Sequence, residues 1–161
     1  MPALKTLIGK PPIHPVPFYL GKVSGYVIWG ILFLSIIGKP LLEPSSTGLN
    51  PRFAYFIFAS GLLISVISVY NLGRSTRFGL PVNETRFKKG GLYKFSRNPM
   101  YLGFDLMSLA AMLYFMKISI LFLGVFCIII YHLIILSEER FLGERFGREY
   151  LDFKSNVRRY I

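Results

Sequence analysis

The chain has 161 residues, enough for one domain, with 53% hydrophobic residues against 17% charged and a formal net charge of +11. A mean hydropathy of +0.49, with the apolar residues gathered in runs near membrane-spanning length, excludes an ordinary soluble fold and implies an integral membrane protein. The basic excess sits beside those runs, as juxtamembrane charge does, and shows no zinc-finger spacing, so nucleic acid is not an expected partner.

The N-terminal MPALKTLIGKPPIHPVPFYLGK has prolines ahead of the first apolar run and no clear cleavage site, so that run is expected to be an uncleaved membrane helix. The first span covers residues 18–37. Lys22 lies one turn in and can snorkel, while Gly21, Gly25 and Gly30 give the helix a slender face for close packing. Residues 38–52 hold three prolines and two glycines and read as a loop. The second span covers 53–72, where Ser60, Ser65 and Ser68 can return their hydroxyls to the backbone or reach a neighbour.

The polar section that follows is too basic to cross a bilayer. It is expected in the interface, anchored by Phe78, Phe87, Tyr93 and Phe95. Residues 100–136 form a 37-residue apolar stretch, too long for one crossing of a ~30 Å hydrocarbon core. Two helices with a tight turn at Lys117 fit it, and a re-entrant pair is the alternative. The lone Cys127 falls inside this stretch as a lipid-facing or core residue.

In the tail, Leu142, Phe146, Tyr150, Phe153 and Val157 recur at helical spacing, with i,i+4 charge pairs Glu144–Arg148 and Arg145–Glu149 on the polar sides. Gly143 and Gly147 weaken that helix and permit a bend. The fold expected is an all-α membrane protein of about four transmembrane helices, with an interfacial loop and an amphipathic C-terminal helix. It forms one integral membrane domain, 1–161, with the first two spans in 1–72 and the remaining core in 73–161. Residues 71–100 carry seven Lys or Arg and 137–161 carry six, against two in 38–52, so the positive-inside rule puts the N-terminus and both rich segments on the cytoplasmic face.

Polar residues collect at the cytoplasmic ends of the last two spans. Arg97 and Asn98 enter the third helix while Glu138 and Glu139 leave the fourth, and the hairpin makes these ends neighbours. As isolated features they have simpler accounts: Arg97 as a headgroup contact, Asn98-Pro99 as a helix cap and start, Tyr101 as a belt aromatic. Asp105, one or two turns into the third helix, is costly unless it faces a pocket mouth or pairs with Lys94 or Arg97. His14 reads as a loop residue and His132 as a bundle hydrogen-bonder; without HxxH spacing they predict no catalytic metal. No P-loop, GxSxG elbow or soluble dinucleotide motif occurs.

GLYKFSRNPMYLG at 91–103, followed after one helical hairpin by EERFLGERFGREY at 138–150, resembles the isoprenylcysteine carboxyl methyltransferase and phospholipid methyltransferase superfamily of integral membrane enzymes. The likeness covers roughly residues 70–161. The first block follows G-x-Y-x-x-x-R-H-P-x-Y-x-G through Gly91, Tyr93, Arg97, Pro99, Tyr101 and Gly103. The second follows E-E-x-x-L-x-x-x-F-G-x-x-Y through Glu138, Glu139, Leu142, Phe146, Gly147 and Tyr150. Asn98 stands where the pattern has histidine; it can hydrogen-bond but is no imidazole base.

The resemblance implies S-adenosylmethionine as cofactor, held by Tyr93, Arg97, Asn98, Pro99, Tyr101 and Glu138. It implies Arg97 and Glu139 as the catalytic pair. The expected function is methyl transfer to a lipophilic acceptor at the membrane interface, a prenylcysteine carboxylate or a lipid amine, with a lipophilic small molecule, lipid or lipidated peptide, and membrane lipids, as the expected partners. A carboxylate acceptor needs a positive partner such as Arg97; an amine or phenol needs a base such as Glu139. The alternative from another class is a noncatalytic membrane scaffold or sensor that keeps the same shell.

Overall fold

A computed structural model describes residues 11–46, 50–73 and 89–161, and among these all regular structure is helical. Helices α1 (Pro15–Ile36) and α2 (Pro51–Leu72) both open on proline at the first turn, where its missing N–H costs nothing. His14 and Asn50 cap them, with Asn50 Oδ1 accepting from the Arg52 amide at 3.0 Å. A 3₁₀ turn at Gly91–Lys94 leads to α3 (Pro99–Phe115), and then come α4 (Ile118–Phe146) and α5 (Arg148–Asn156).

Helices α1, α2 and α4 are long and apolar enough to cross a membrane. Helix α3 has 17 residues, about 25 Å by its rise, at the short limit for a crossing. The protein is thus an all-α membrane protein with three long spans and one short apolar helix. The apolar stretch breaks at Lys117 as expected: Met116 takes a left-handed conformation (φ 46°) and Lys117 is extended.

Helix α4 runs 29 residues, about 44 Å, which exceeds the hydrocarbon thickness and carries its last turns into the interface. Gly147 ends it with φ 51°, a conformation open to glycine at little cost, and the chain turns into α5. The expected tail stripe is therefore cut by this bend, and only Tyr150 and Phe153 of it are buried. Glu149 pairs with Lys89 at 3.0 Å, an exposed contact that adds little stability. Phe78 and Phe87 lie outside the described residues, and Phe95 is exposed.

Small residues set the packing. A Cβ on Gly61 of α2 would stand 2.6 Å from the Gly103 carbonyl of α3, and one on Gly103 would overlap the Ser65 hydroxyl. The two backbones touch there, the way helices associate without a hydrophobic driving force. Gly21 and Gly25 of α1 likewise admit Ile130 and Tyr131 of α4. Trp29 Nε1 donates to Ser108 Oγ at 2.9 Å, and Ser108 meets buried Cys127 at 3.3 Å, joining α1, α3 and α4. Ser60, Ser65 and Ser68 all return their hydroxyls to carbonyls one turn back, and Ser65 also reaches the Met100 carbonyl of α3 at 3.4 Å. Large apolar side chains such as Phe56, Leu63, Val66 and Tyr70 point outward, as a lipid-facing surface requires.

Candidate active site

The site is assembled where α3 begins and α4 leaves the apolar layer. Gly91 has φ +61°, and a Cβ there would overlap the Asn71 side chain, so the turn against the end of α2 needs glycine. Pro99 starts α3, and Asn98 precedes it as the cap residue. The Asn98 side chain does not cap the helix. Its Nδ2 donates to Glu139 Oε1 and to the Arg159 carbonyl, both at 3.3 Å.

Glu139 is the centre of a buried charge network. Arg97 donates to its Oε1 through Nε (3.1 Å) and Nη2 (3.0 Å). From the other side Arg159 donates through Nε to Oε1 (3.1 Å) and through Nη2 to Oε2 (2.9 Å). Arg97 also spends Nη1 on the carbonyls of Lys154 (3.1 Å) and Val157 (2.6 Å), and its own amide on the Arg158 carbonyl (2.9 Å). Ser96 Oγ reaches the Arg159 carbonyl at 3.2 Å. Residues 96–98 and Glu139 thus hold the C-terminal segment onto the bundle. The hydrogen bond to Glu139 raises the Arg159 pKa above its ordinary value, keeping that guanidinium charged.

Glu138, the next residue on α4, belongs to a second group. Tyr101 donates its hydroxyl to Glu138 Oε1 at 2.9 Å. Tyr93 lies close enough that burial first, and the Glu138 charge second, push its phenol pKa up. Lys22 of α1 feels the same carboxylate and sits 4.3 Å over the Phe18 ring. Consecutive helix residues point about 100° apart, so one glutamate faces α1 and α3 while the other faces the tail.

Arg97, Asn98 and Glu139 therefore meet in one network, Tyr101 and Glu138 in another, with Tyr93 beside Glu138 and Pro99 between the two as the start of α3. Arg159 and Ser96 join the first network without a motif to mark them, and Lys22, read from the sequence only as a snorkelling residue, lies near Glu138. VRRYI gives no local sign of which arginine turns inward, since its partner Glu139 lies 20 residues back. Asp105 pairs with neither Lys94 nor Arg97. Its Oδ1 is buried without a hydrogen-bond partner among the described residues, and it lines a groove of about 480 Å³ between α3 and α4. His132 Nδ1 hydrogen-bonds the Tyr160 hydroxyl at 2.7 Å in the same groove.

A bundle of apolar helices with two polar clusters at one end defines an integral membrane protein. The phospholipid methyltransferase family matches residues 50–149, more than half of the chain, from the start of α2 into α5. The chain belongs to that family, part of the superfamily that includes the isoprenylcysteine carboxyl methyltransferases, and its family chemistry is membrane methyl transfer. No curated protein matches the chain. The family match ends before Arg159 and Tyr160, so the segment that closes over Glu139 lies beyond it.

Proposed function

We propose that this protein uses S-adenosylmethionine to methylate a lipophilic acceptor, working at the cytoplasmic face. The observation that carries this is the Tyr101–Glu138 hydrogen bond beside Tyr93, at the point where α4 leaves the apolar layer. A carboxylate flanked by two phenol rings in a partly dry site suits a ligand that carries positive charge. The residues present therefore fit the cofactor. When bound, it supplies an activated methyl on a cationic sulfur. Glu138, Tyr93 and Tyr101 would hold its positive end, and Asn98 and Pro99 would shape the wall on the tail side.

Methyl transfer asks mainly for alignment and exclusion of water. Arg97 and Glu139 serve both needs in this proposal. Their pairing draws the C-terminal segment over the site, and each stands near the place where an acceptor's head would arrive. Arg97 can take an anionic head only by giving up one of its tail carbonyls. Glu139 can take a proton only if a guanidinium moves aside. Both are proposed first as positioning residues and second as the pair nearest the reacting group. The dense Lys and Arg at this end of the bundle support the cytoplasmic orientation.

The test is binding of labelled S-adenosylmethionine by the purified protein in nanodiscs, followed by extraction of lipids that have gained label. Glu138→Gln should weaken binding at least tenfold with the fold intact. A folded wild-type protein that binds no cofactor would instead be the noncatalytic scaffold.

A further inference from the structure

Lys22 is the only charged side chain on α1, and the family match begins beyond it, at residue 50. A snorkelling lysine carries its head out to water. This one stays half-buried, with its Nζ 4.3 Å over the ring of Phe18, a residue 3% exposed.

The packing of α1 on α4 explains where that ammonium is held. Ser137 Oγ donates to the Pro12 carbonyl at 2.5 Å, just ahead of α1, and Gly21 and Gly25 admit Ile130 and Tyr131. Residue 12 is thus level with 137 and residue 21 with 130, so the two helices run antiparallel. Side chains lean toward the N-terminus of their own helix. Lys22 therefore leans toward the polar end of the bundle, as its place over Phe18 one turn earlier shows. Glu138 leans back from that end into the bundle, and the two side chains converge. Their opposite charges act on each other. From α3, Tyr101 donates to Glu138 Oε1 at 2.9 Å.

This pairing restricts what the site can accept. A ligand with positive charge alone would find Glu138 already balanced and would bring its charge up against Lys22. A ligand with negative charge alone would meet Glu138. A ligand with both charges close together can replace the attraction within the pair by two contacts of its own, leaving neither side chain uncompensated. An α-amino acid head has that pattern. Its ammonium brings three donors to a carboxylate, and its carboxylate accepts from an ammonium. S-adenosylmethionine ends in such a head.

We infer that Lys22 and Glu138 form a subsite for the amino-acid head of the cofactor, Lys22 taking its carboxylate and Glu138 its ammonium. This rests on the methyltransferase proposal above. Helix α1, outside the family match, then supplies one wall of the cofactor site.

S-adenosylmethionine and its decarboxylated analogue share the adenosine and the sulfonium and differ by the carboxylate. Titration calorimetry on the protein in nanodiscs gives the affinity of each. Wild type should prefer S-adenosylmethionine by at least about tenfold, the scale of one hydrogen bond to a charged group. Lys22→Met should lose that preference by weakening S-adenosylmethionine alone. It should bind the analogue at least as tightly as wild type does, because that cation has lost a repelling neighbour. Lys22→Arg should restore the preference. Trp29 fluorescence checks that each variant is folded. A wild type that binds the two ligands alike, or a folded Lys22→Met that weakens both equally or keeps the preference, overturns the subsite and leaves the methyltransferase proposal standing. A folded wild type that binds neither ligand overturns that proposal, and the subsite with it.

Discussion

Glu139 is held by two arginines, and their surroundings set unequal expectations. The Arg97 and Glu139 side chains are 9% and 6% exposed, whereas Arg159 is 32% exposed. Removing one member of a buried ion pair leaves the other charge uncompensated, at a cost of about 3–5 kcal/mol. Glu139→Ala should therefore destabilise by about that much, since Arg97 keeps only its carbonyl partners. The direct coupling in a double-mutant cycle is smaller. For Arg97 and Glu139, with Nε and Nη2 on one oxygen, it should be about 2–3 kcal/mol. For Arg159 and Glu139, solvent screening reduces it to about 1 kcal/mol or less. The assay is reversible unfolding in mixed micelles, followed through the fluorescence of Trp29, the single tryptophan, which packs against α3 and α4. Trypsin cutting at Lys154 or Arg158 gives a second reading, and Arg97→Ala should speed it. A coupling below about 0.5 kcal/mol for Arg97, or one larger for Arg159 than for Arg97, refutes the clamp as described.

Other substitutions separate packing from chemistry. Tyr101→Phe removes one hydrogen bond to Glu138, so it should cost about 1 kcal/mol in the same unfolding assay and lower cofactor affinity severalfold. Gly103→Ala forces α2 and α3 apart and should cost about 1–3 kcal/mol. Gly30→Ala, with nothing within 4 Å of its added methyl, should stabilise by up to about 1 kcal/mol through helix propensity; equal effects at the two glycines would refute the contact as the cause. Orientation is checked by impermeant thiol labelling of Glu43→Cys and Arg140→Cys in sealed vesicles. Buried Cys127 should stay silent, and the two probes should label from opposite sides, Arg140→Cys from the cytoplasmic one.

Much of this fold is legible because bilayer thickness is a ruler. Residues 100–136 exceed one crossing, and Lys117 is the polar residue at the midpoint, so a hairpin is forced. Glycine helps where it marks a bend, as at Gly147. It says less where it marks a contact: nothing near Gly61 reveals that its partner is Gly103, because that depends on how α2 and α3 cross. The same limit hides the site's outer half. Asn98 before Pro99 looks like a helix cap, and local chemistry favours that role. Its Nδ2 instead donates to Glu139 across the hairpin and to the Arg159 carbonyl of the returning tail, and with the amide held that way its oxygen caps no helix N–H. Tertiary partners override the local preference, and those partners sit 41 and 61 residues away.

The paired glutamates imply a division of labour that single substitutions can expose. If each acts on the cluster it touches, Glu138→Gln and Glu139→Gln must fail in different ways. Glu138→Gln keeps an acceptor for Tyr101 but removes the negative charge beside Tyr93, so cofactor affinity should fall at least tenfold while tryptic cleavage of the tail stays at the wild-type rate. Glu139→Gln leaves that charge in place and deprives Arg97 and Arg159 of theirs, so cleavage at Arg158 should accelerate. Cofactor should still bind, less tightly only to the extent that the tail closes the site. Turnover falls in both variants and cannot tell them apart; the combination of cofactor affinity and proteolysis can. If both variants lose cofactor binding and tail protection together, the two glutamates act as one unit, and the geometry that separates them does not govern function.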